Sequence, residues 1–322
     1  MRKVEGSEDM SKKTKLTASL GDKTLRLLTL LMAISVLVLM VWMGWQMYYS
    51  ARPSIEKFGF SFITGRVWDP VQEKFGALPF IYGTLVTSLL ALIVAAPIGL
   101  GVAIFLNEMA TAKVRSVIAF LVEMLAAIPS VVYGLWGIFV LAPWLRQTVE
   151  PGLAKWFGFI PLFRGTPLGF GMLAGGLILA VMILPTIAAI SGEVMAAVPN
   201  EQREAALALG ATKWEMIRIA VLPYAKSGIL GGVMLGLGRA LGETMAVTML
   251  IGNRPDILPS LFAPAYSMAA VIANEFTEAT YQLYLSALVE IGLILFGITL
   301  ILNVFARLLV WSVARGPKGG IS

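Results

Sequence analysis

The stretch GLGRALGETMA, residues 236–246, sets Arg239 and Glu243 four residues apart inside an otherwise charge-free run. On a continuous helix that spacing places both side chains on one face, one turn apart, where they can pair. An arginine at mid-membrane costs about 2.5–3.5 kcal/mol on insertion scales, so it must face protein or a water-filled cavity. Two readings stand. In one, the pair is a buried ion pair that fixes helix packing. In the other it lies on a solute path, where the planar donor fork of Arg239 meets an oxyanion. An ionisable residue inside a span favours the second. Glu243 then holds Arg239 in place or accepts a proton from a partly protonated oxyanion. Glu123 and Glu290 also fall in apolar runs. For these two, snorkelling, capping or pairing across helices comes first.

The residues that are missing narrow the chemistry further. The chain has no histidine and no cysteine. That removes the commonest general base and metal ligand, thiolate nucleophiles and disulfides. It argues against a membrane-embedded enzyme. No G-x-x-x-x-G-K-[ST] phosphate loop occurs, so any ATP hydrolysis belongs to another polypeptide. No cofactor or metal is expected on this chain, and ATP and Mg belong on a partner ATPase.

The elements that must position Arg239 follow from composition. Of 322 residues, 58% are hydrophobic and 14% charged, against about 25% charged in soluble proteins. Mean hydropathy is +0.82. An all-α integral membrane protein is expected, since crossing the hydrocarbon takes about 20 apolar residues as a helix. Six transmembrane helices are expected: 27–49, 75–107, 117–141, 168–191, 227–253 and 283–306. The domain plan is a tail over 1–26, a six-span domain over 27–311 with an insert at about 199–223, and a tail over 312–322. Segments 142–167 and 254–282 are expected to be interfacial or re-entrant. Gly228, Gly232 and Gly236, with Gly238 and Gly242, form small-xxx-small rows that let helices approach closely.

Lys and Arg concentrate two to one on segments 1–26, 108–116, 192–227 and the C-terminal tail. That bias places both termini in the cytoplasm and accounts for the basic balance without nucleic acid.

The insert between the fourth and fifth spans is patterned. Residues 201–209 read as a short helix with Glu201 and Glu204 in its first turn. Gly210 is placed to close it in the left-handed conformation. Thr212 and Glu215 form a T-x-x-E capping box that opens a second helix, running to about Leu222, with Pro223 as the turn into the fifth span. The small, shallow surface of Ala205, Ala206 and Leu209 suits a docking partner, or packs against the chain's own helix ends.

The segment EAALALGATKWEMIRIAVLP, residues 204–223, resembles the EAA loop of bacterial ABC-importer permeases, with Glu204, Ala205, Ala206, Gly210, Leu222 and Pro223 in register. Ala220 stands where that pattern usually has Ile. The runs IYGTLVTSLLAL, LAAIPSVVYGLWG and GGVMLGLGRALGETMAVTMLIGN, with NEF at 274–276, are similar to the PstC-type permeases of bacterial phosphate importers. The resemblance implies a MetI-like architecture with a cytoplasmic coupling helix, in the bacterial inner membrane. It implies a heterodimer with a PstA-like permease, two PstB-like ATPase subunits and an external PstS-like phosphate-binding protein. Glu204, Ala205, Ala206 and Gly210 would then contact the ATPase, and Arg239 and Glu243 would lie on the phosphate pathway. A permease for molybdate, tungstate or sulfate, or a non-transporting sensor or scaffold, are the alternatives.

Overall fold

The computed structural model describes the backbone of residues 5–314 and the side-chain surroundings of residues 22–313. The expected tails therefore lie partly outside the described residues, at 1–4 and 315–322. The chain separates into two compact units, residues 1–50 and 51–322.

The first unit is helical, within α1 (Glu5–Phe58). From residue 22 to residue 50 its side chains are exposed nearly throughout, Trp42 and Trp45 among them. Its stretch 27–49 carries no charge, and a helical run apolar on every face is suited to hydrocarbon.

In the second unit, α2 (Leu78–Met109) ends in a π-helical turn, Phe105–Met109. It is followed by α3 (Ala112–Ala127), α4 (Ser130–Phe157) and α5 (Met172–Ala196). The insert helix α6 (Asn200–Ala208) leads to α7 (Lys213–Gly242), the short α8 (Met245–Leu250), α9 (Met268–Glu275) and α10 (Gln282–Ala314).

Helix α5 is the centre of this unit. Its most apolar window is 67% buried, with α2 along one flank and α7 along another. The expected glycine row is what lets α7 approach. A Cβ on Gly228 would come to 2.5 Å of Val194, one on Gly232 to 3.0 Å of Ile190, and one on Gly236 to 2.9 Å of Ile187. Gly238 and Gly242 border open space instead.

Three expectations about helices need correction. The third span is not straight, because α3 and α4 meet at 95°. Ile128 is extended (φ −67°, ψ 129°) ahead of Pro129, as proline's ring demands of its predecessor. The fifth span is not one helix, because α7 stops at Gly242 and α8 starts at Met245. Pro223 does not mark a turn either. The helix runs on through it, with a π-helical turn at Ile217–Val221 just ahead. Shifting the hydrogen bonds by one residue there accommodates a position that has no N–H to give. Among the described residues there are thus five helices long and apolar enough to cross a membrane and one bent pair, up to six spans in all.

Candidate solute path and coupling surface

Arg239 sits in the last turn of α7. Its Nη1 donates to Thr186 Oγ1 on α5 at 3.1 Å, and no carboxylate pairs with it among the described residues. Glu243 is extended (φ −70°, ψ 128°), so the one-turn pairing expected of a continuous helix is lost. Its Oε1 instead accepts from the Ala246 N–H of α8 at 3.4 Å. The break gives each charge a helix end of opposite sign: Arg239 at the carbonyl end of α7, Glu243 at the amide end of α8. The guanidinium keeps most of its donors for other partners, and Gly238 and Gly242 leave open space on either side of it in the chain.

The other two intramembrane acids part company. Glu123 is exposed on α3. Glu290 is buried on α10, beside the buried Ser54 hydroxyl, and its Oε2 has no hydrogen-bond partner. No ion pair reaches it among the described residues; the Ser54 hydroxyl on α1 is its polar neighbour across helices.

The insert forms around its local signals. Gly210 has φ +85°, a conformation that strains any residue with a Cβ. Thr212 Oγ1 accepts from the Glu215 N–H while the Glu215 carboxylate accepts from the Thr212 N–H at 2.8 Å, a complete capping box. Ala206 is buried with Ala103, Met195, Val198, Met216 and Ile217, which ties the insert to the ends of α2 and α5. Glu204, Ala205 and Gly210 remain exposed. Beside them Leu209 is 90% exposed and Trp214 60%. An apolar surface held out by a folded insert suits a protein partner.

Two anchors have no counterpart in the sequence reading. Glu150 on α4 is buried, and its Oε2 accepts from the Gly169 N–H at 3.0 Å, which fixes the loop ahead of α5. Arg203 on α6 pairs with Glu108 at 2.9 Å. A span of 95 residues separates that pair, and no local pattern could reveal it. Among the described residues no cluster of His, Cys, Asp and Glu could hold a metal.

Residues 95–315 match the family described as binding-protein-dependent transport system inner membrane component. Over 299 residues the chain is 49% identical to the phosphate transport system permease protein PstC of Mesorhizobium japonicum, covering 92% of this chain and 91% of that protein. A chain of the bacterial alginate ABC transporter, solved with an alginate pentasaccharide-bound periplasmic protein, superposes with a TM-score of 0.60 at 16% identity. That match covers 96% of this chain and 98% of the other. A chain of the inward-facing MetNI methionine ABC transporter superposes at 0.54 with 18% identity, covering 74% and 95%. At such identities these structures establish the fold alone, a MetI-like importer-permease architecture.

Proposed function

This chain belongs to the binding-protein-dependent transport system inner membrane components, in their PstC-type branch, and we propose that it lines the phosphate path of an ATP-driven importer. It is a multi-pass membrane permease that works with other ABC-transporter components, and ATP hydrolysis belongs to a separate subunit. The observation that carries the pathway is Arg239: a cation at a break in a span, held by one hydroxyl and otherwise open. A guanidinium in that state offers paired N–H donors to a phosphate oxyanion without first breaking an ion pair. Broken helices that turn their ends toward a charged solute are a recurrent device in transporters. Glu243 accepts from the Ala246 N–H of α8 and makes no ion pair with the arginine.

The companion subunits are a PstA-like permease, two PstB-like ATPases and a PstS-like phosphate-binding protein. The exposed surface of Glu204, Ala205 and Gly210, with Leu209 and Trp214, supports the ATPase docking. The Lys and Arg bias supports termini and insert in the cytoplasm of a bacterial inner-membrane protein. ATP and Mg are held on the ATPase, and closure of the ATP-bound pair moves the spans by way of the insert.

The test is anion uptake by the purified complex in proteoliposomes, with ATP on one face and the binding protein on the other. Labelled phosphate should enter only with ATP on the face that carries the insert, and excess sulfate or molybdate should leave the rate within about twofold. Displacement by sulfate, molybdate or tungstate in place of phosphate would assign the path to that oxyanion.

A further inference from the structure

We propose that Arg203 is a positioning residue, the strut that carries motion of the coupling insert into α2 and α5 together. One guanidinium touches three segments. Its Nη2 donates to Glu108 Oε1 in the π-helical turn of α2 at 2.9 Å, and to the Met195 carbonyl at the end of α5 at 2.8 Å. Its Nε also faces the Glu108 carboxylate, at 3.3 and 3.4 Å from the two oxygens. Its Nη1 donates to the Val198 carbonyl at 2.5 Å and to Asn200 Oδ1 at 3.3 Å. The side chains are only 16% and 5% exposed, and the two carbonyls that Arg203 bonds belong to Met195 and Val198 of the buried apolar cluster. Water and salt therefore screen the pair little.

The turn that receives the strut is itself fixed. Arg115 donates to the Leu106 and Asn107 carbonyls at 2.6 and 2.8 Å, and Asn107 donates to the Ala103 carbonyl at 2.9 Å. These donors satisfy carbonyls that a widened helix end leaves without partners. A rigid turn passes a displacement on, where a frayed one would absorb it. From the end of α5 the line continues along one helix to Thr186, the residue that holds Arg239. Arg203 stands one position ahead of Glu204, so the docking face and the strut share a helix. A lysine has a single ammonium and cannot reproduce a planar fork that bonds a carboxylate and two carbonyls at once.

The inference rests on the reading that the insert docks an ATPase. Its test uses the whole complex in proteoliposomes, with Arg203→Gln, Arg203→Lys, Glu108→Gln and the double Arg203→Gln/Glu108→Gln variant. Phosphate uptake and ATP hydrolysis are measured on the same preparation. The ATPase should co-purify as with the unsubstituted chain, while uptake per ATP falls at least tenfold, about 1.4 kcal/mol of coupling. Lysine should not rescue, and the double variant should be no worse than the worse single one. An unchanged ratio of uptake to hydrolysis overturns the strut, as does loss of ATPase binding with a normal ratio in what remains. Where Arg203→Gln fails to fold, Glu108→Gln, close in shape to the native residue, carries the test. If the unsubstituted complex takes up no phosphate, the substrate reading fails and the strut is read by distance. The chain has no native cysteine, so spin labels at Leu209→Cys and at Val71→Cys, exposed in the turn that precedes α2, report the insert against the opposite end of that helix. An ATP-dependent distance change that disappears in Glu108→Gln supports the strut. A change that persists in that variant, or none without it, overturns it.

Discussion

At Glu243 the backbone leaves the helical region for φ −70° and ψ 128°, and that local departure sets the surroundings of two charges. Arg239 gains the carbonyl end of one helix and Glu243 the amide end of the next, each interaction about 0.3–1 kcal/mol where solvent reaches it. The spacing of the pair was legible in the sequence, but their separation was not. Four residues mean one turn only while the helix lasts, and apolar residues on both sides of Gly242 hide its end. Glu290 shows a different balance. It is buried with one oxygen unpaired, and no cation pairs with it among the described residues. A buried charge without a partner is costly, so a neutral replacement of the same shape relieves the site. Glu290→Gln is expected to leave the melting temperature in detergent unchanged or higher. A fall beyond about 4 °C, on the order of 1 kcal/mol or more, would show that the carboxylate makes a stabilising interaction.

At the scale of elements, the insert was the most legible part of the chain because its signals act within a few residues. Gly210 takes the left-handed conformation and Thr212 completes its box with Glu215. The bend at Pro129 and the π-helical turns were hidden for the opposite reason. In a sequence apolar on every face, periodicity cannot mark where a helix changes direction. Arg203 and Glu108 were invisible because only the fold brings them together. The folded insert also predicts how docking fails. Thr212→Ala removes a cap and should weaken the insert by about 0.5–2 kcal/mol. Gly210→Pro cannot adopt a φ of +85°, since proline holds φ near about −65°. Glu204→Lys reverses an exposed charge without disturbing the buried cluster. Gly210→Pro and Glu204→Lys should each reduce ATPase co-purification severalfold, while Thr212→Ala has a smaller effect. Equal recovery of the ATPase with all three would count against docking at this surface.

At the scale of the whole molecule, the second unit links two regions. At one end the insert packs with the ends of α2 and α5 in a shared apolar cluster. Farther along α5, Thr186 holds Arg239 beside open space. An all-helical permease needs that connection if work done on the insert is to change access to the solute. The direct test of the account is phosphate uptake by the reconstituted complex carrying Arg239→Gln, with subunit recovery measured on the same sample. The account predicts that the partner ABC-transporter components co-purify normally while ATP-driven uptake falls at least a hundredfold, about 2.7 kcal/mol. Uptake at the unsubstituted rate would contradict it, and loss of assembly would assign Arg239 to helix packing instead.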